Sequence, residues 1–337
     1  MTLAADRPVL RGVRASTKLL PVSTPLRSGA ASLECPRCHA PLAPSRFARQ
    51  TECPYCGATV RVDPSSVETR TFREARQAWD DPAAHGFTQW LTVGGRHWSL
   101  AGLLARGTTS DVYLAQRARW PTQWVVLKLL RERSQTERFE REGAQLAKLS
   151  TGGLQLGARA PCFVQRGVVS AGPHEGRAAL LYAHEHDFRN TFEDVRRALP
   201  QGVAPEVSVW MWRRVLELLA ALHQEGLAHG AILPSHLLVQ DEDHGVRVVG
   251  FGSLEGATPA SVERDVRMSA GCLASILGGD LNSGEVPASV PPPLARLLRE
   301  VAQGGQARGA WVLREQLGGL ARTLFGPPSF HPLVLPR

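Results

Sequence analysis

Hydrophobic positions follow two regimes along this chain. Between Leu91 and Ala183, short apolar runs are set off by turn residues. They are Trp98-Ser-Leu-Ala-Gly-Leu-Leu, Val112-Tyr-Leu-Ala, Trp124-Val-Val-Leu-Lys-Leu-Leu, Cys162-Phe-Val and Ala178-Ala-Leu-Leu-Tyr-Ala. Their length, aromatic and β-branched content, and flanking turns such as Trp120-Pro121 predict strands. One helical pattern interrupts them at Arg138–Leu149. There Phe139, Glu142, Leu146 and Leu149 share a face, while Glu140 falls on a smaller face with Ala144 and Ala147. From Thr191 the period lengthens. Thr191-Phe-Glu-Asp194 predicts a capping box opening a helix. Glu206–Gly226 carries the apolar stripe Trp212, Val215, Leu216, Leu219 and Leu222, and Gly226 suits its C-terminal end. Further helices are predicted over Glu263–Gly279, Leu294–Gln303 and Gly309–Leu324.

Ahead of Leu91 no such period is sustained. Residues 1–33 are rich in Pro, Ser, Ala and Arg and read as a disordered basic tail. Residues 63–89 read as a linker with a charged helical segment at Val67–Trp79, and 326–337 as a proline-rich C-terminal tail. Between tail and linker, at 34–62, Cys35-Pro-Arg-Cys38 and Cys53-Pro-Tyr-Cys56-Gly57 are separated by fourteen residues. Two CxxC turns can present four thiolates tetrahedrally to Zn²⁺ at about 2.3 Å, closing the coordination sphere. The expectation is a structural zinc ribbon with a strand near Thr59–Val62. A module this small buries too little surface to fold alone, so the metal supplies much of its folding energy. Cys162 and Cys272 read as small core residues.

Composition narrows the function classes. The 337 residues carry a formal charge of +8, and only Lys18, Lys128 and Lys148 are lysines. The arginine bias is expected of a GC-rich genome and makes a lysine in a special position conspicuous. No apolar run approaches the roughly 20 residues of a membrane span, so no membrane partner is expected. The N-terminal stretch lacks the apolar core of a secretory signal, which makes a cytoplasmic location the expectation.

The most informative stretch is His229–Gly252, HGAILPSHLLVQDEDHGVRVVGFG. A tight loop is followed by an apolar run, an acidic turn at 241–245, and a strand, Val246–Val249, that ends in Gly-Phe-Gly. Upstream, Ala105-Arg-Gly107-Thr-Thr-Ser110-Asp-Val112 precedes Val125-Val-Leu-Lys128, and downstream lies Asp265. This ordered set resembles the protein kinase family over roughly residues 90–325, which implies a two-lobed α+β domain. In that family a Gly-rich loop covers the nucleotide phosphates, a strand lysine pairs with a helix glutamate, and His-Arg-Asp, a later Asn and Asp-Phe-Gly perform the chemistry. The resemblance assigns Gly107, Lys128 and Glu142 to a possible nucleotide site, and Asp265 to anchoring the catalytic-loop backbone. It also exposes departures. One of the three loop glycines remains, Gly230-Ala231 stand for Arg-Asp, His236 stands for Asn, and Gly250 stands for the metal-binding Asp.

Those departures remove the chemistry. Ala231 offers no carboxylate to orient a substrate hydroxyl, and His236 and Gly250 offer no hard oxygen ligand to Mg²⁺. Twelve residues separate Gly252 from Asp265, with no Ala-Pro-Glu, so the substrate-binding activation segment is essentially deleted. Asp241, Glu242 and Asp243 belong to the turn and are expected to face solvent. His184-Glu185-His186 falls at the hinge between lobes without a third metal ligand, and Arg308 stands where kinases place an arginine that pairs with the missing Glu. The resemblance therefore implies a catalytically inactive pseudokinase, a scaffold or regulatory sensor with protein partners in signalling or a multi-protein assembly. In plan it is similar to bacterial proteins that fuse zinc ribbons to degenerate kinase domains. Two alternatives stand beside it. One is a nucleic-acid-associated protein using the basic tail and Arg37, Arg46, Arg49 and Arg61. The other is a nucleotide binder that takes ATP without Mg²⁺, or an unorthodox phosphotransferase.

Overall fold

The structure is a computed structural model. It describes residues 35, 38, 40, 42, 50–53, 55–61, 89–107, 109–117, 123–151, 159–185, 188, 190–240, 245–304, 309–333 and 335. The expected tail at 1–33, residues 63–88 of the expected linker, Arg37, Arg46, Arg49, His186, the acidic turn residues 241–244 and Arg308 lie outside the described residues.

Two short strands, β1 (Gln50–Glu52) and β2 (Thr59–Arg61), pair antiparallel beside the cysteines. Six strands then close a barrel. They are β3 (Gln89–Val93), β4 (Arg96–Arg106), β5 (Ser110–Arg117), β6 (Gln123–Leu130), β7 (Phe163–Ala171) and β8 (Ala178–Ala183), in spatial order β3-β4-β5-β6-β8-β7. Alternation along β6 decides what points where. Val125, Leu127 and Leu129 enter the barrel core with Leu91, Trp98, Val169 and Leu181. Lys128, one residue out of phase, faces away from that core because successive strand side chains alternate. On that outer side lies α1 (Thr136–Thr151), whose Phe139, Leu146 and Leu149 pack against Leu180 of β8. Glu142 shares their buried face, and Glu140 is exposed.

A second, larger core joins α1 to the helices that follow. These are α2 (Phe192–Ala198), α3 (Pro205–Gln224), α4 (Pro259–Ile276), α5 (Pro292–Gln303) and α6 (Ala310–Phe325). The expected capping box opens α2: Thr191 Oγ1 accepts from the Asp194 amide at 3.1 Å, and Asp194 Oδ2 accepts from the Thr191 amide at 3.0 Å. Between α3 and α4 run β10 (Leu227–Ala228), β11 (Leu237–Val239), β12 (Val246–Val248) and β13 (Glu255–Gly256); β9 (Asn190–Thr191) lies beside β11.

One boundary differs usefully from expectation. α4 begins at Pro259 rather than Glu263, because Thr258 and Ser261 form a capping box: Ser261 N donates to Thr258 Oγ1 at 3.1 Å, and Thr258 N donates to Ser261 Oγ at 2.8 Å. A serine in the third helical position is a weaker signal than the usual Glu or Gln. Six residues, 253–258, therefore connect Gly252 to the helix, and β13 within them pairs with β10.

Candidate functional site

Lys128 and Glu142 meet between the barrel and α1. Lys128 Nζ donates to both Glu142 carboxylate oxygens, at 2.8 and 2.6 Å, with side-chain exposures of 15% and 4%. The Tyr182 hydroxyl of β8 donates to Glu142 Oε1 at 3.2 Å, and burial, then the adjacent carboxylate, raises its pKa well above the usual range. Arg138, one turn before Glu142 on the same helix, donates to the Gly252 carbonyl and to Ser253 Oγ at 2.7 Å. A Cβ at Gly252 would lie 3.3 Å from Glu142 Oε2 and 3.8 Å from Lys128 Nζ. The ion pair, α1 and the Gly250–Ser253 turn thus form one connected unit. Tyr182 and Arg138 carry no sequence signal of their own. Arg138 could be found only by extending the Glu142 face back one turn.

Gly107 is placed apart from this charge chemistry. Its amide donates to the Ser110 carbonyl at 2.9 Å, and its own carbonyl accepts from Arg131. The next carboxylate, Asp111, is buried among Arg106, Arg131 and Arg177, at 3.2, 3.6 and 2.9 Å. The loop is a closed hairpin whose Gly107 N–H already has its partner.

The loop from His229 to His236 is held by Asp265 of α4. Its carboxylate accepts from the His229 amide at 2.7 Å and the Gly230 amide at 2.8 Å, and lies 3.2 Å from His223 Nε2. His229 is fully buried against Phe251, ring centroids 4.6 Å apart. Burial lowers its pKa to about 4 despite the opposing Asp265 charge, so the ring is neutral at neutral pH.

Ala231, His236 and Gly250, the positions that the sequence resemblance aligned with kinase chemistry, come together here. His236 Nδ1 lies 2.7 Å from the Ala231 carbonyl. A carbonyl only accepts, so this nitrogen carries the proton. The ring then covers Gly250, whose φ of +84° is left-handed. A Cβ there would meet His236 Nδ1 at 2.6 Å and Cγ at 2.7 Å. Gly230, at φ +79°, is equally confined: a Cβ would lie 2.4 Å from the Ser253 carbonyl. Restoring the acid at Gly250 is therefore expected to fail on steric grounds. Gly250→Asp should lower the unfolding free energy by about 2–3 kcal/mol, combining left-handed strain and overpacking. Adding His236→Ala should return part of that. Urea midpoints of the three proteins check it; an undisturbed Gly250→Asp midpoint would place the ring elsewhere.

No protein-family model matches this chain, and no curated protein matches it. Solved structures do. Two crystal structures of the Mycobacterium tuberculosis PknI kinase domain, both double mutants, align over 68% of this chain and 97% of theirs. Their TM-scores are 0.52 and 0.51, at 18% and 17% identity. The fold is that of a protein kinase domain. At such identities the likeness speaks for the fold alone. Within the kinase-like fold, Lys128, Glu142 and Gly252 lie together, and Ala231, His236 and Gly250 form a second contact set joined to the first through the Gly250–Ser253 turn.

Beside the kinase-like domain the four CxxC cysteines converge. Cys35 Sγ lies 3.6 Å from Cys56 Sγ, Cys38 Sγ lies 3.6 Å from Cys53 Sγ, and all four sulfurs fall within 4.8 Å of one another. A tetrahedron with 2.3 Å metal–sulfur bonds has sulfur separations of about 3.8 Å, whereas a disulfide needs about 2.05 Å. Both halves use the same turn: the Cys35 amide donates to the Ala40 carbonyl and the Cys53 amide to the Ala58 carbonyl, each at 2.8 Å. Burial pushes the Cys38 and Cys53 thiols up, a cost that a bound cation reverses by holding thiolates. The donor set fits a metal ion such as zinc.

This module is docked on the helical part. Tyr55 lies between Trp210 of α3 and Phe330, at 5.1 and 6.1 Å between ring centroids, with the Arg214 guanidinium 4.5 Å over its ring. The Phe330 amide donates to the Cys38 carbonyl at 2.8 Å. Trp210, Arg213, Arg214 and Glu217 form a face of α3 at helical spacing that the apolar stripe through Trp212 and Leu216 conceals in the sequence. The segment after β8, expected to be the hinge, is likewise tied down through a residue with no sequence signal: Glu185 pairs with Arg247 of β12, both side chains buried.

Proposed function

We propose that this chain is a pseudokinase, a two-lobed kinase-like domain without phosphotransfer activity. It serves as a scaffold or regulatory sensor for protein partners in signalling or a multi-protein assembly. A structural zinc ion holds the cysteine module against it, and the whole works in the cytoplasm. One observation carries the reading: the His236 ring, bonded to the Ala231 carbonyl, occupies the space over Gly250 that a metal-binding carboxylate would need. Phosphoryl transfer depends on Mg²⁺ and oriented carboxylates to compensate charge on the γ-phosphate. Histidine is a poor ligand for that hard cation, and among the described residues Ala231, His236 and Gly250 bring no side-chain oxygen to it. The short 253–258 connection supports the same reading, because it leaves no length for a substrate platform. Among the described residues no helix is long and apolar enough to cross a membrane.

The test is a pair of measurements on the metal-loaded full chain. Incubation with radiolabelled ATP and Mg²⁺ is expected to transfer no phosphate to the chain or to generic protein substrates. Thermal unfolding with ATP is expected to show no stabilisation that requires Mg²⁺. Either a labelled product or a Mg²⁺-dependent rise in melting temperature would reopen the enzyme. A rise without Mg²⁺ that vanishes in Lys128→Ala would make the chain a nucleotide-responsive pseudokinase, since a ligand of the native state alone must stabilise it. Lys128 is placed for that role, whereas the engaged Gly107 amide argues against a phosphate cradle in the usual loop.

A further inference from the structure

Away from the Lys128 region, four arginines cluster where α3 packs against α6, beside Tyr55 of the cysteine module. Three share one carboxylate. Arg214 Nη1 donates to both Glu217 oxygens at 3.1 and 3.0 Å, Arg314 donates to Oε1 at 3.1 and 2.9 Å, and Arg159 pairs with Oε2. Glu315, more than half exposed, takes a further bond from Arg314. The fourth arginine, Arg213, has its guanidinium 5.4 Å over the Trp210 ring and no carboxylate partner among the described residues. Its Nε–H is buried without an acceptor, as is that of Arg159. Buried donors almost always find partners, and an unpaired cation beside three others is costly. Four guanidiniums against Glu217 and the rim residue Glu315 leave the cluster strongly positive.

We propose that Arg159, Arg213, Arg214 and Arg314, with Tyr55 of the cysteine module as one wall, form a binding site for a tetrahedral phosphate dianion, free or as a monoester. Guanidinium forks match phosphate oxygens in geometry and charge, and the buried Nε–H groups are donors still to be used. An anion would enter at the open edge of the cluster, where Arg159 and Arg314 retain 23% and 17% of their side-chain exposure. Trp311, half exposed with Arg314 4.8 Å over its ring, offers a flat surface at the rim for the organic part of an ester. Burial, then the neighbouring Arg314 and Arg214 charges, press the pKa of Arg213 down to about 10, and the Glu217 and Glu315 charges oppose this only in part. Tyr55 belongs to the cysteine module, so that wall is present only while the module is docked.

Thermal unfolding of the metal-loaded full chain, with inorganic phosphate or phenyl phosphate against chloride at equal ionic strength, tests this. Each phosphate at about 10 mM is expected to raise the melting temperature by roughly 2–4 °C beyond chloride. Arg213→Gln should abolish that increment while leaving the phosphate-free protein at least as stable, since it removes an uncompensated cation. Arg159→Gln should lose the increment too, which keeps the test decisive if one variant folds poorly. Arg299→Gln, an exposed arginine paired with Glu285 elsewhere, should keep it. A response to inorganic phosphate alone assigns the site to the free ion, and a larger one to phenyl phosphate assigns it to an ester that uses Trp311. A phosphate response no greater than that of chloride, or one undiminished in both Arg213→Gln and Arg159→Gln, would overturn the proposal.

Discussion

Stripping the metal from the four cysteines is expected to unfold residues 35–61 and uncover one face of α3. Structural zinc contributes on the order of 10–16 kcal/mol to the folding of small zinc modules, more than the few buried side chains here could replace. The effect should spread because the module's core is shared. Trp210 of α3 and Phe330 belong to it together with Tyr55, Leu42 and Val60. With a strong chelator, or in Cys35→Ser/Cys38→Ser, the fluorescence of Trp210 should shift toward that of water-exposed tryptophan. Protease should then cut between 35 and 61 while the barrel and helices resist. Arg214 and Glu217 should be destabilised in turn, as Arg214 loses the Tyr55 ring 4.5 Å from its guanidinium. A chelated protein with unchanged fluorescence and protease resistance would mean that the cysteines hold the module without metal.

The second large effect is expected at Asp265. Its buried carboxylate accepts from two backbone amides, those of His229 and Gly230, at 2.7 and 2.8 Å. Asp265→Ala leaves both donors without a partner and removes a charge-assisted bond, which should cost about 3–5 kcal/mol. Asp265→Asn keeps one acceptor oxygen and should fall between variant and parent. Denaturant unfolding with a constant slope measures the loss, and hydrogen exchange at the His229 and Gly230 amides should accelerate with it. A change below about 1 kcal/mol would show that this loop is held by the Phe251–His229 packing instead. The loop held in this way, His229–His236, contains no carboxylate of its own.

Much of this was legible from residue patterns. Strand patterns predicted five of the six barrel strands but not β3, and helical period picked Glu142 over Glu140 because only the former shares a face with Phe139, Leu146 and Leu149. The CxxC spacing predicted a four-sulfur site, and the structure brings those sulfurs together. Local rules suffice in these cases because the signal and the structure span the same few residues. The N-terminus of α4 was less legible, since Ser261 caps it where a longer acid would announce the box. The tail and linker expectations, and Arg308, fall outside the described residues.

What the sequence determined by itself was the order of elements, the face that Lys128 and Glu142 present, the gathering of the cysteines and the absence of carboxylates at Ala231, His236 and Gly250. What only tertiary structure decided was which distant groups fill the space left behind. His236 closes over Gly250, Arg138 reaches the turn after Phe251, and the cysteine module settles on the Trp210 face of α3 with the Arg214 guanidinium over its Tyr55 ring. The reason is physical. Periodicity encodes which way a side chain points from its own backbone. Contacts between residues tens or hundreds of positions apart depend on how whole elements pack, and no local pattern carries that information.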